Sequence, residues 1–270
     1  MTIQILTGLV LAAIASYLAH RLHSLTAGGA VAATMLGTVI FGLGGWQWAV
    51  LLLTFFILSS ALTRAFGGSK SSAEEKYAKG GERDEMQVIS NGGVACVFVV
   101  LHAFFPGAAW PWIGFAGALA AVNADTWATE LGVLSPGRPR LITRLGTQVE
   151  KGTSGGVSLV GTGASLLAAA VIGALAAWFS GAAPGPILLD VASAGLIGSL
   201  VDSLLGATVQ AMYFCPKHQK ETEKHPLHAC GTPTVHLRGW KWLDNDLVNV
   251  ACAITGAGTA LLLGIMLGVL

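Results

Sequence analysis

The chain has 270 residues, 53% apolar and 11% charged, with 36 glycines, a net charge of +1 and a mean hydropathy of +0.67. Soluble domains carry about 25% charged residues, so this composition cannot clothe a water-facing surface. It excludes a soluble enzyme, a disordered chain and a disulfide scaffold, and points to an all-α polytopic membrane protein forming a single integral domain over 1–270, with no charge excess to suggest nucleic acid as a partner.

A helix needs about 20 apolar residues to cross the hydrocarbon layer. The first such run, 2–19, has Arg21 behind it and no basic residue ahead of it. That is the reverse of a signal peptide, so the run is predicted to be a first span. Seven more follow at 26–43, 46–63, 88–105, 112–131, 156–179, 187–212 and 247–270. The breaks at Gly42–Gly45, Pro106–Pro111 and Ser180–Pro186 hold no Lys or Arg, whereas those at 20–25, 64–87, 132–155 and 213–246 hold all 15. The two kinds alternate along the chain, as eight helices with both termini on one side require. The positive-inside rule places the charged loops in the cytoplasm and both termini outside, in an inner cell membrane. The loop 65–87, with charges of alternating sign from Lys70 to Glu85, reads as a solvated tether or a lid.

Within the spans, small residues dominate, as close helix packing in lipid demands. Against that background ionisable groups stand out, because they are costly at membrane depth and point to function. The fifth span ends in Asn123-Ala-Asp125-Thr126-Trp127-Ala-Thr129-Glu130, with Asn123, Thr126 and Glu130 on one stripe and Asp125 and Thr129 on the next. The seventh carries Ser199, Asp202, Ser203, Gly206 and Gln210 about a turn apart. Three further polar clusters open spans on the same side: Gln87 to Asn91-Gly92-Gly93, Lys151-Gly152-Thr153-Ser154-Gly155-Gly156-Val157-Ser158, and Asp244-Asn245-Asp246 with Asn249. Five clusters are therefore expected to meet at the cytoplasmic face, where a soluble ligand and a lipid can both reach them.

The 151–158 segment leads glycines and hydroxyls into a helix, offering free backbone N–H groups and a positive dipole end to phosphate. It is not a Walker A loop, whose Lys follows the glycines. Carboxylates beside such a cradle imply a hard cation, and Mg²⁺ takes one or two carboxylates with phosphate oxygens. Asp125, Glu130 and Asp202 are the first-choice ligands, with Asp246 next. Arg138, Arg140, Arg144 and Lys151 are candidates to clamp a polyphosphate. Asp190 reads as a helix-end residue without a catalytic part.

The last loop contains Cys215-Pro-Lys-His218 and His228-Ala-Cys230. Two close pairs of soft or borderline ligands suit a structural zinc site. A disulfide between Cys215 and Cys230 competes, but a cytoplasmic loop disfavours it, and His225 leaves the ligand choice open. Cys96 and Cys252 lie in spans and read as packing residues.

The motifs N-A-D-T-W-A-T-E-L-G (123–132), G-T-S-G-G-V-S (152–158), Asp202–Gln210 and L-D-N-D-L-V-N (243–249), in this order, resemble the integral membrane family known as domain of unknown function 92. That family includes transmembrane protein 19 and the plant phytyl-phosphate kinase of vitamin E synthesis. The resemblance implies a nucleotide-dependent lipid phosphotransferase related to the CTP-using polyprenol kinases, moving a γ-phosphate onto an isoprenoid or phytyl monophosphate. The site it implies is Asn91, Asp125, Thr126, Glu130, Gly155, Gly156, Asp202, Gln210, Asp246 and Asn249. Many relatives carry a C-x-x-C pair where this chain has Cys215 and His218. The competing readings are a lipid-alcohol kinase, a cytidylyltransferase and a membrane transporter of a lipid phosphate or ion. The acids crowd toward one face and no inverted repeat is visible, which disfavours transport.

Overall fold

The computed structural model describes residues 2–66, 81–181 and 184–270. Among them are eight long helices: α1 (Thr2–Arg21), α2 (Ala27–Val39, closing with a π turn over Ile40–Gly44), α3 (Trp46–Phe66), α4 (Glu85–Phe104), α5 (Trp110–Gly132), α6 (Leu159–Ser180), α7 (Pro184–Thr208) and α8 (Asn245–Met266). Seven of these are long and apolar enough to cross a membrane. The eighth, α5, is diluted by Asn123, Asp125, Thr126 and Glu130, and it needs less apolar surface because its neighbours enclose it. Its residues from Ile113 to Ala124 are all buried.

Packing follows the logic of a helix bundle in lipid. Bulky residues such as Leu6, Ile14, Leu167, Trp178, Ile254, Leu262 and Ile265 face outward, while small ones line the crossings. A Cβ added at Gly256 would lie 2.5 Å from the Gly117 carbonyl oxygen and 2.5 Å from Ala121 Cβ, and one at Gly198 would lie 2.5 Å from Ala121 Cβ. The α5, α7 and α8 backbones therefore touch, which only glycine and alanine permit. Gly256→Val should destabilise the protein by about 2 kcal/mol or more through overpacking. The check is a thermal unfolding curve in detergent beside Gly258→Val, whose added Cβ meets nothing.

The two ends of the bundle differ. At one end the turn after α2, the end of α4 and the start of α5 form an aromatic layer. There Trp48 lies 4.9 Å from His102 and 5.0 Å from Trp112, and Trp46 meets Phe179 at 5.0 Å, in the manner of an interfacial belt. Asp190 lies toward this end and is not a solvated helix-end group: it is wholly buried, and neither carboxyl oxygen has a hydrogen-bond partner.

At the other end the charged connections gather. The Thr26 N–H donates to the Arg83 carbonyl (3.0 Å), and the Arg83 N–H to the Ser24 carbonyl (3.0 Å). Arg64 donates to the Leu22 carbonyl. Asp84 and Gln87 close a reciprocal capping box that starts α4. The long connections 133–158 and 209–244 are not plain loops. Each folds a small antiparallel sheet, β1 (Arg140–Leu141), β2 (Arg144–Gln148) and β3 (Gly156–Val157) in order β2-β1-β3, and β4 (Met212–Cys215), β5 (Lys220–Thr222) and β6 (Val235–Arg238) in order β5-β4-β6. Accordingly α7 stops at Thr208, short of the expected 212, and α6 starts at Leu159 rather than 156. The sequence expectation of a tether or lid over 65–87 falls largely outside the described residues.

Candidate functional site

A cavity of about 270 Å³ opens at the charged end, walled by α3, α4, α5, α6, α7, α8 and the 151–158 turn. From α5 and α7 come Asp125 and Asp202. Their carboxyls hydrogen-bond each other, and Glu223, just past β5, is the third carboxylate acting on both. Asp202 Oδ2 is buried with no hydrogen-bond partner. Negative groups in such contact repel unless a cation or a shared proton lies between them. The donor set is all hard oxygen, and the orphaned Asp202 oxygen has an unused lone pair, so a hard divalent cation such as Mg²⁺ suits these residues.

The sequence expectation grouped Glu130 with this pair. Glu130 lines the same cavity, where its Oε1 accepts from Thr63 Oγ1 on α3 (2.9 Å), and Glu223 is a further carboxylate there that the sequence expectation did not include. Glu223 escapes sequence reading because it lies in a long connection with no helical periodicity. It is held there by Gln210, whose Nε2 donates to Glu223 Oε1 (3.0 Å) while its Oε1 accepts from Ser154 Oγ (2.9 Å). Gln210 is thus buried behind the wall and joins the third carboxylate to the glycine-rich turn.

That turn is built by close approach. Gly152 and Gly155 have φ of 78° and 81°, a region that strains any residue with a Cβ. A Cβ on Gly155 would also lie 2.4 Å from Ala207 Cβ and 2.6 Å from its Cα, so the turn rests directly on the end of α7. Ser158 caps α6, accepting from the Gly161 N–H (3.0 Å). Gly152, Thr153, Ser154, Gly155, Gly156 and Ser158 all line the cavity, as do Asn91, Thr126 and Asn249.

Four expected site residues do not line it. Gly92 packs toward Leu36 of α2, Gly93 lies beside Ile89, Gln210 sits behind Ser154, and Asp246 is buried in the first turn of α8. The expected cations also rearrange. Lys151 reaches the cavity wall, but its ammonium donates to the carbonyls of Val133 (2.9 Å) and Ser135 (2.6 Å), closing the C-terminal end of α5. Arg138, Arg140 and Arg144 lie away from the cavity, and the Arg140 guanidinium donates to the Leu145 carbonyl (2.7 Å). Among the described residues, the cation that lines the cavity beside Lys151 is Arg83, whose guanidinium lies 5.5 Å from the rings of both Phe55 and Phe56. Burial lowers its pKa to about 10, so it remains a cation at neutral pH. Its position depends on a pairing with residues 24–26 that no local pattern reveals.

Away from the cavity, Cys215, His218, His228 and Cys230 form one cluster with their ligand atoms within 4.8 Å of one another. His225 stands apart, stacked on Tyr213 at 4.3 Å.

Residues 10–257 match the model of the family described as integral membrane protein DUF92. Protein PGR of Arabidopsis thaliana is 32% identical over 269 residues, covering 91% of each chain. An uncharacterized membrane protein of Methanocaldococcus jannaschii is 35% identical over 182 residues, 66% of this chain and 72% of the relative. Protein VTE6, chloroplastic, of Arabidopsis thaliana is 27% identical over 243 residues, 88% of this chain and 65% of the relative. No solved structure matches. With the family model spanning most of the chain, this protein belongs to the DUF92 family of integral membrane proteins.

Proposed function

We propose that this protein is a nucleoside-triphosphate-dependent kinase, with CTP the favoured donor, that converts an isoprenoid or phytyl monophosphate in the membrane into its diphosphate. The observation that carries this reading is the meeting, in one cavity, of the Asp125–Asp202–Glu223 carboxylates with a glycine-rich turn and the half-buried Arg83. Kinship with VTE6 supports a lipid-related function. The positive-inside rule supports a cytoplasmic opening, where the nucleotide is found.

The turn 152–156 and the start of α6 bind and orient the nucleotide phosphates through backbone N–H groups and hydroxyls. Asp125 and Asp202, with Glu223, would hold Mg²⁺, which when bound neutralises charge on the β- and γ-phosphates. Arg83 and the hydroxyls of Ser199 and Ser203, which line the same cavity, would receive a second phosphate, that of the lipid, whose tail would lie against the small-residue helix surfaces. An oxygen of the lipid phosphate attacks the γ-phosphorus as the bond from that phosphorus to the β-bridging oxygen breaks, and the nucleoside diphosphate leaves. A phosphate monoester is already anionic at neutral pH, so no proton needs to move and catalysis is positioning with charge neutralisation.

The test uses CTP labelled separately at its α and γ positions, with purified protein and phytyl, farnesyl or geranylgeranyl monophosphate. The reading predicts γ-label in the lipid product and CDP as the by-product. Label entering lipid from the α position, with pyrophosphate released, would make the protein a cytidylyltransferase instead. Arg83→Met keeps an unbranched chain of similar reach but removes the charge that lies beside Phe55 and Phe56. It is expected to raise the KM for one phosphate substrate about tenfold, the loss of one charge-assisted hydrogen bond of about 1.5 kcal/mol, and steady-state kinetics in each substrate will show which.

A further inference from the structure

We propose that Cys215, His218, His228 and Cys230 bind one zinc ion, and that this clip holds the 213–238 segment so that Glu223 faces the membrane carboxylates. Two turns supply the ligands. Cys215 ends β4 and His218 follows in the turn to β5. His228 and Cys230 lie in a second turn, closed by the Gly231 N–H donating to the His228 carbonyl (2.8 Å).

Two of the ligand spacings approach those of a tetrahedral metal. Zinc binds sulfur at about 2.3 Å and imidazole nitrogen at about 2.0–2.1 Å, which places two tetrahedral sulfurs about 3.8 Å apart and a sulfur and a nitrogen about 3.6 Å apart. The Sγ atoms of Cys215 and Cys230 are separated by 3.8 Å, and His228 Nδ1 and Cys230 Sγ by 3.3 Å. Two thiolates and two imidazoles select zinc over the magnesium that oxygen donors favour. Four protein ligands leave no open position, so the site is structural.

The segment has reason to need such a clip. Its strands have three or four residues each, and Leu227, Val235 and Leu237 are exposed, so it has little core of its own, and metal binding supplies folding energy in such cases. Its second anchor is Arg238, which pairs with Glu221 (2.9 Å) and donates to the Gly206 carbonyl at the end of α7 (3.0 Å). Between the two anchors stands Glu223, hydrogen-bonded to Gln210. The role given to Glu223 rests on the function proposed above; zinc binding does not.

The test begins with the full-length protein in detergent, washed with a weak chelator and analysed for metal by mass spectrometry. About one zinc per chain is expected. Cys215→Ser should lose at least about tenfold of it. His218→Asn, at the exposed ligand, should keep the elution profile of the wild type and lose zinc in the same wash. Protein loaded with cobalt instead should show thiolate-to-metal charge transfer and tetrahedral visible bands. Stripping zinc with a strong chelator should open Lys217, Lys220 and Lys224 to trypsin and raise the KM for nucleotide. Metal-free protein with Cys215 and Cys230 freely alkylated or joined in a disulfide would overturn the site, as would zinc retained by both variants. Trypsin opening with an unchanged KM would overturn the role given to Glu223. Stoichiometric zinc in a protein that transfers no phosphate leaves the clip standing and removes the function proposed above.

Discussion

Asp202→Asn is expected to lower the rate of phosphate transfer by about 10³-fold or more while leaving the fold intact. Asp125→Asn should do the same. Both substitutions keep side-chain volume and hydrogen bonding, so packing among α5, α7 and α8 is undisturbed, and each removes one of two carboxyl groups in direct contact. What they remove is the charge that would hold a divalent cation against the nucleotide, and losing electrostatic stabilisation of that kind costs about 10²–10³ or more in rate. Steady-state kinetics paired with thermal unfolding in detergent will check this. Full activity in both variants removes the carboxylate pair from the site. Glu223→Gln should cost less, since Glu223 stands beside the pair on a connection and Gln preserves the hydrogen bond with Gln210 after an amide flip.

The second large effect is expected from Gly155→Ala. Two penalties act together. The φ of 81° costs a residue with a Cβ about 1–2 kcal/mol, and the new Cβ would enter space held by the Ala207 Cα and backbone N, 2.6 and 2.7 Å away. That neighbour is helix backbone and cannot swing aside, so the turn must lift from α7. Lifting it strains the bond from the Ile142 N–H to the Gly155 carbonyl (2.9 Å) and that from Ser154 Oγ to Gln210 (2.9 Å). A displacement of about 1 Å at a phosphate-positioning turn is worth about 10²-fold in rate. Kinetics should show that loss together with a lowered midpoint of thermal unfolding. Gly146→Ala, at a glycine whose added Cβ meets nothing, should do neither.

The spans were legible because the bilayer imposes length and apolarity on every helix, and because Lys and Arg fall in alternate connections. The polar stripes on α5 and α7 were legible because ionisable groups in a membrane stand out against apolar neighbours. Neither signal reaches into the long connections. Glu223 lies 15 residues past the end of α7 and 22 before the start of α8, and it meets Asp125 only after β4, β5 and the end of α7 are assembled. Arg83 reaches the cavity through a backbone pairing with residues 24–26, contacts nearly 60 positions away in sequence that periodicity cannot register. Lys151 shows the converse. Its place beside a glycine-rich turn suggests a phosphate ligand, yet the orphan carbonyls at the end of α5 claim two of its donors, as helix ends require. Asp190 illustrates the same limit, since position near a helix start does not reveal that α8 closes over it at Gly264.

The most direct measurement is transfer itself. Purified wild-type protein, reconstituted in lipid with Mg²⁺, CTP and phytyl monophosphate, should yield a lipid bearing two phosphates and an equal amount of CDP, and a chelator of Mg²⁺ should stop both. A folded, monodisperse protein that leaves the monophosphate unchanged with CTP, UTP and ATP across phytyl, farnesyl and geranylgeranyl acceptors would contradict the account.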